Sequence, residues 1–64
     1  MKFHEMTSAQ IAAANRDQTL LILPIAAVEQ HGPHLPTGTD TIICDAIANA
    51  VEAPAPETII LLPT

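Results

Sequence analysis

Two continuous apolar runs constrain the fold of this chain more than any other feature. They are Thr19–Val28 and Thr58–Leu62, and neither has the alternation of polar and apolar residues that marks a half-exposed strand. Such runs are typical of strands that are buried on both faces in a parallel sheet. Pro24 lies within the first run. Because proline donates no ladder hydrogen bond, we place it near the end of the strand or at a bulge.

A segment with helical periodicity, Thr41 to Glu52, lies between the two runs. Its apolar residues share one side of a helix and its polar residues share the other. The apolar set is Ile42, Ile43, Ala46, Ile47, Ala50 and Val51, and the polar set is Thr41, Asp45, Asn49 and Glu52. Thr39 or Asp40 is the expected N-cap, and the prolines of Ala53–Pro56 end the helix. The order strand, helix, strand predicts a right-handed parallel βαβ unit.

A second, shorter helix is predicted near the N-terminus, from Ser8 to Asn15. Thr7 and Gln10 have the spacing of a capping box, in which each side chain satisfies a backbone amide of the other residue. Met6 and Ile11 stand at the positions of a hydrophobic staple. The chain therefore begins with a capped helix that precedes the first strand.

One βαβ unit and a short helix cannot cover both faces of two such strands. The predicted fold class is therefore α/β, with the βαβ unit belonging to a parallel sheet that has helices on both faces. We expect residues 1–64 to form a single domain that is incomplete by itself. Its lone cysteine, Cys44, cannot form an internal disulfide and is interpreted as a small packing residue within the helix.

Charge and composition exclude several classes of function. The net charge is −5, and Lys2 and Arg16 are the only basic residues apart from histidines, so binding to nucleic acid or to an anionic membrane is not expected. The longest apolar run, Leu20 to Val28, is far shorter than the ~20 residues that a membrane-spanning helix needs. A single thiol and the lack of a signal-peptide pattern predict a cytoplasmic location.

A loop rich in potential metal ligands, Val28–Asp40, follows the first apolar run. Glu29 and His31 are two residues apart, so an extended backbone points their side chains to the same side, about 6.6 Å apart along the chain. Asp40 comes after a turn and could bridge two ions with its two oxygens. Carboxylates and an imidazole suit Zn²⁺ or Mn²⁺. The alternatives are a surface carboxylate, a loop histidine and a helix N-cap.

The same loop resembles the signature of the creatininase (creatinine amidohydrolase) family. The resemblance is carried by Pro24, Glu29, Gln30, His31, Gly32, Pro33, His34, Leu35, Pro36, Gly38, Thr39 and Asp40. It extends over most of the chain, including the capped helix, the helix after Asp40 and the second strand. The chain thus looks like the N-terminal part of a creatininase-like α/β sandwich.

The resemblance implies a dinuclear metal centre, with Zn and/or Mn as the two divalent ions. Glu29 and His31 fall on positions that each ligate one metal, and Asp40 falls on the bridging ligand. The remaining ligands of the family, a histidine in a Gly-His motif and a later glutamate, belong to positions past residue 64. His34 either holds a ligand in place or bonds a loop carbonyl, and Gln30 is expected to order the loop backbone.

The implied function is hydrolysis of a cyclic amide, or of another non-peptide C–N bond, by a hydroxide held between two metal ions. The substrate is expected to be a small-molecule amide and the full-length parent a homo-oligomer. Many family members have Gly-Ser where this chain has Ala26 and Ala27, so the substrate stays open. The residue that moves the proton is not identified. The alternative is an inactive fragment or a metal-binding remnant without catalysis.

Overall fold

The computed structural model describes residues 1–64, which form two strands, two α-helices and one 3-10 turn. In chain order these are the turn Phe3–Glu5, helix α1 (Ser8–Ala12), strand β1 (Leu20–Ile22), helix α2 (Thr39–Glu52) and strand β2 (Ile59–Leu61). None of the helices has the length and apolar character that crossing a membrane requires.

The two strands pair in parallel, as the sequence predicts. Leu20 lies opposite Ile59 and Ile22 lies opposite Leu61, so α2 is the crossover of a βαβ unit. A third segment, which the sequence analysis did not anticipate, joins the sheet at the other edge of β2. Lys2 forms a parallel bridge with Leu61, and the Leu61 amide donates to the Met1 carbonyl at 2.8 Å. The fold class is α/β.

The capping box at the start of α1 is confirmed. The Gln10 amide donates to Thr7 Oγ1 at 3.2 Å, and the Thr7 amide donates to Gln10 Oε1 at 2.8 Å. The helix ends at Ala12, three residues before the predicted end at Asn15. Asn15 supplies a physical reason, because its Oδ1 accepts from the Asp17 amide and offers the backbone a turn in place of another helical step.

The start of α2 differs from the predicted cap. The N-cap is Gly38, and it makes no side-chain capping bond. Thr39 and Asp40 are both inside the helix, because each side chain has another partner. Thr39 Oγ1 donates to the Pro36 carbonyl at 2.6 Å, and Asp40 Oδ1 lies 3.1 Å from His31 Nε2. The helix ends at Glu52 with Ala53 as its C-cap, immediately before Pro54.

Burial along α2 does not follow its apolar side. The residues of α2 that are buried are Ala48 and Glu52, both only 8% exposed, whereas Ile47 of the apolar set is 61% exposed. Glu52 tolerates burial because the N-terminal amine of Met1 lies 3.5 Å from its Oε2. The helix rests on β2 through small and polar residues, and much of its apolar side is left uncovered.

The first apolar run is neither a long strand nor buried. Only Leu20–Ile22 pair with β2, and Leu20 and Leu21 are each 59% exposed. Regular pairing stops at Ile22, two residues before Pro24, which agrees with placing the proline near the strand's end. The buried residues are Pro24, Ala48, Glu52, Ile60 and Leu61, so the core lies between β2 and α2 and leaves β1 at an open edge.

Candidate metal centre

The loop from Glu29 to Asp40 is closed by backbone hydrogen bonds. The Glu29 amide donates to the Thr37 carbonyl at 2.9 Å, and the Thr39 amide donates to the Pro36 carbonyl at 3.2 Å. Gly32 turns the chain with φ +76°, a conformation that favours glycine. Glu29, which follows the extended segment after β1, is thereby held close to the first turn of α2.

The three predicted ligands meet at this point. Glu29, His31 and Asp40 each offer one ligand atom, and all three atoms lie within 4.8 Å of one another. The Glu29 side chain is exposed, and His31 and Asp40 are half-buried. The loop positions the first two residues and α2 positions the third. Two loop residues and a helix residue at least nine positions further along the chain thus form one group, which is open to solvent at Glu29.

The imidazole of His31 is fixed at both nitrogens. Its Nδ1–H donates to the Glu29 backbone carbonyl at 3.0 Å, and its Nε2 lies 3.1 Å from Asp40 Oδ1. The hydrogen bond to the Glu29 carbonyl, followed by the nearby carboxylate of Asp40, raises the pKa of His31 above its usual value, although partial burial opposes this. With Nδ1 held as a donor, Nε2 is the nitrogen that faces the carboxylates and could bind a metal.

A neutral imidazole and two carboxylates fit a divalent ion such as Zn²⁺ or Mn²⁺ by their chemistry. Three protein ligands are also the number found in catalytic zinc sites, which keep a further position open for water or substrate. The observation that supports the fit is the convergence of the three ligand atoms around one point. The arrangement can therefore hold an ion between the loop and the first turn of α2.

The other two residues proposed for the site, Gln30 and His34, are exposed and are not part of this group. Neither side chain makes a hydrogen bond. The ring of His34 lies over Gly32, so that a Cβ at position 32 would be 3.3 Å from His34 Cε1. Their roles in ordering the loop or holding a ligand stay predictions.

Two contacts that sequence reasoning missed hold α2 against the extended segment before the loop. Thr41 Oγ1 donates to the Ala27 carbonyl at 3.3 Å, and the Cys44 thiol lies 3.8 Å from the Ile25 carbonyl. Thr41 follows Asp40 directly, so its bond fixes the helix turn that carries this candidate ligand. The sequence shows that Thr41 follows Asp40, but it cannot show that the hydroxyl of Thr41 bonds to the backbone carbonyl of Ala27.

An open apolar groove, with a volume of about 590 Å³, runs along α2 and ends at Asp40. One wall is the end of β1 with the segment after it, and the other wall is the apolar side of α2. Its lining is Ile22, Pro24, Ile25, Ala26, Ala27, Asp40, Ile43, Cys44, Ile47, Ala48 and Val51. Asp40 is the only charged residue of this lining.

Comparison with known proteins places these features in a family. The family model described as creatininase, creatinine amidohydrolase, matches residues 4–64. A mycofactocin precursor peptide peptidase of Mycobacterium tuberculosis (strain CDC 1551 / Oshkosh) is 43% identical over 47 residues, which are 73% of this chain and 18% of that protein. A 3-dehydro-scyllo-inosose hydrolase of Thermotoga maritima is 39% identical over 49 residues, which are 77% of this chain and 16% of that protein.

The chain spans less than a fifth of the length of these relatives. No solved structure matches it significantly. The family match nevertheless covers almost all of the chain, including the three converging ligands, the βαβ unit and the loop that joins them. This chain belongs to the creatinine amidohydrolase family.

Proposed function

We propose that this chain carries part of the active site of a metal-dependent amidohydrolase that uses two divalent ions. The observation that carries the proposal is the meeting of Glu29, His31 and Asp40, whose ligand atoms lie within 4.8 Å of one another at the end of the βαβ crossover loop. Membership of the creatinine amidohydrolase family supports the same kind of reaction.

Each of the three residues has a distinct part in this proposal. His31 presents Nε2 because its other nitrogen is bound to the Glu29 carbonyl. Asp40 projects from the first turn of α2, and its Oδ1 is already 3.1 Å from His31 Nε2, which leaves its second oxygen for another ion. Glu29 supplies a carboxylate from the exposed side. In this proposal Asp40 would hold both ions, and Glu29 and His31 would each hold one.

The bound ions supply a Lewis acid for the substrate carbonyl and lower the pKa of a coordinated water. The chain contributes the placement of the ligands around them. The loop and α2 fix Asp40 against His31, and the hydrogen bond from Thr41 to the Ala27 carbonyl holds that turn of the helix in place. A fixed ligand set loses little freedom when a metal binds.

The substrate we propose is a small amide, cyclic or otherwise with a non-peptide C–N bond. The two relatives have names that refer to different compounds, a precursor peptide in one case and 3-dehydro-scyllo-inosose in the other. Both relatives match most of this chain, yet the chain is less than a fifth of each relative. We therefore propose that the substrate is selected largely by residues outside the matched part.

A second candidate is a metal-binding remnant without turnover. It is favoured by the small number of ligands, since three side chains cannot hold two ions in four- or five-coordinate sites. The two candidates differ in whether these residues support hydrolysis once the rest of a family domain is present.

A graft separates the candidates. In this protein, called the graft below, residues 4–64 replace the matching segment of the Mycobacterium tuberculosis peptidase, whose substrate is by name a peptide and therefore contains amide bonds. We expect the graft to hydrolyse the relative's substrate, to lose activity on chelation and to regain it with Zn²⁺ or Mn²⁺. Hydrolysis is followed by product formation. A graft that folds and binds metal but never turns over would establish the remnant instead, and activity undiminished after full chelation would refute a metal mechanism.

A further inference from the structure

The end of α2 that carries Asp40 is not held by packing. The buried residues of the helix are Ala48 and Glu52, which both lie in its second half, and no residue from 39 to 47 is buried. A ligand has to stay within about 0.5 Å of its binding geometry if it is to hold an ion firmly. Other contacts must therefore position Asp40.

Asp40 lies between two threonines whose hydroxyls both donate to backbone carbonyls. Thr39 Oγ1 donates to the Pro36 carbonyl at 2.6 Å, and Thr41 Oγ1 donates to the Ala27 carbonyl at 3.3 Å. The first bond joins the helix to the end of the loop, and the second joins it to the extended segment before the loop. The two threonines thus attach the turn that carries Asp40 to opposite ends of the loop.

The bond from Thr39 is duplicated, whereas the bond from Thr41 is not. The Thr39 amide donates to the same Pro36 carbonyl at 3.2 Å, so this attachment survives the loss of the hydroxyl. Thr41 reaches a residue fourteen positions away in the sequence. The other hydrogen bond between α2 and that segment comes from the Cys44 thiol, which is a weak donor and lies 3.8 Å from the Ile25 carbonyl. Thr41 therefore makes the main polar contact between the helix and the segment before the loop.

We propose that Thr41 is a positioning residue of the metal centre, and that its hydroxyl sets the distance between the carboxylates of Glu29 and Asp40. Its partner Ala27 is two residues before Glu29. Because Thr41 itself directly follows Asp40, one hydrogen bond joins the backbone beside both carboxylates, whose ligand atoms lie within 4.8 Å of each other. The resemblance to the family signature includes Thr39 and ends at Asp40, so the signature alone would favour the other threonine. The inference rests on the proposed function only in taking Glu29 and Asp40 as ligands of the ions.

Isothermal titration of the metal-free graft with Zn²⁺ or Mn²⁺ tests this role through binding rather than turnover. Thr41→Val removes the hydroxyl but keeps a β-branched side chain of the same shape, so the helix propensity changes little. We expect Thr41→Val to weaken binding by roughly 3- to 10-fold, the factor that corresponds to one neutral hydrogen bond. Thr41→Ser keeps the donor and should bind as the unmodified graft does. Thr39→Val is the matched comparison and should weaken binding less than Thr41→Val does, since the Thr39 amide still reaches the Pro36 carbonyl.

The visible spectrum of the Co²⁺-loaded graft shows whether the geometry of the ligands itself changes. Co²⁺ in place of Zn²⁺ absorbs visible light, and the position and intensity of its bands depend on the arrangement of the ligand atoms. We expect Thr41→Val to shift these bands and Thr41→Ser to leave them unchanged. A hydroxyl that only stabilised the helix would lower the melting temperature in Thr41→Val without altering the spectrum. Thr58→Val is the control, because it removes a hydroxyl bond to the Ala55 carbonyl outside the ligand group, and it should change neither affinity nor spectrum.

Several results would overturn the inference. One is a folded Thr41→Val graft with the affinity and the spectrum of the unmodified graft. Another is a Thr41→Ser graft that loses as much affinity as Thr41→Val, since the hydroxyl would then not be the group that matters. A larger effect of Thr39→Val than of Thr41→Val would assign the role to the other threonine. A Thr41→Val graft that does not fold, beside a folded Thr41→Ser graft, would make the hydroxyl a requirement of the fold rather than of the metal centre.

The same titrations separate this inference from the proposed function. An unmodified graft that is folded but binds no metal would refute both. A graft that binds two ions with equal affinity whether residue 41 is threonine or valine would refute the role of Thr41 alone.

Discussion

At the scale of single residues, the candidate site depends on backbone positions as much as on ligand identity. His31 reaches Asp40 because the loop is closed between Glu29 and Thr37 and turns at Gly32. The candidate ligands Glu29, His31 and Asp40 were chosen from the sequence because they lie in a rare run of residues, and the structure brings them together. The hydrogen bonds that orient them could not be predicted, since most of their partners are carbonyls that every residue possesses.

The pKa of His31 provides a test of this geometry without metal. Its bond to the Glu29 carbonyl and its proximity to Asp40 raise the pKa above the ordinary value. The contribution to stability is therefore fully present below the unfolded pKa of about 6.5, and is lost as pH rises through the higher pKa of the folded state. Proton NMR of the metal-free chain should show the raised value, and Asp40→Asn should lower it. An ordinary pKa that does not respond to Asp40→Asn would contradict the observed contact.

Gly32 offers a second test at this scale. At φ +76°, an alanine would cost about 1–2 kcal/mol, and its Cβ would lie 3.3 Å from His34 Cε1. If that loop conformation is required for metal binding, Gly32→Ala should weaken Zn²⁺ binding by roughly 5- to 30-fold. Gly38→Ala is the matched control, because position 38 has φ −88° and nothing within 4 Å of an added Cβ. Isothermal titration would compare the two, and equal affinities would show that the turn at Gly32 is not needed.

At the scale of helices and strands, local patterns proved more predictive than patterns of burial. The capping box of α1 and the parallel pairing of β1 with β2 are confirmed. Both depend on signals within a few residues or on the order of elements. Burial could not be predicted in the same way: β1 and the apolar side of α2 are largely exposed in this chain, because a hydrophobic pattern shows which surface favours contact and not which segment covers it.

The capping box can be tested at its own element. Thr7→Ala removes the oxygen that accepts from the Gln10 amide at 3.2 Å, and it should destabilise α1 by roughly 1 kcal/mol. Ser8→Ala is the control, since Ser8 has no side-chain bond to the helix backbone. Amide hydrogen exchange of residues 9–12 should accelerate in Thr7→Ala and stay unchanged in Ser8→Ala. Unchanged exchange in both variants would show that the cap does not hold this short helix.

At the scale of the whole molecule, the chain is extended for its length. Its radius of gyration is 14.2 Å, whereas a compact domain of this size has about 11 Å. Only 5 of 64 residues are buried, so the hydrophobic core formed by these residues is small. The uncovered apolar groove includes Asp40, which is one of the three candidate metal ligands.

The most direct test of the proposed metal centre is a count of metal ions in the graft. Purified protein loaded with Zn²⁺ or Mn²⁺ should contain two ions per molecule when its metal content is measured by inductively coupled plasma mass spectrometry. Asp40→Ala should lose both ions, because a bridging carboxylate serves both, and Glu29→Ala or His31→Ala should lose mainly one. Asp45→Ala is the control, as an exposed carboxylate on the same helix outside the ligand group, and it should keep two. An Asp40→Ala protein that still holds two ions would contradict the account.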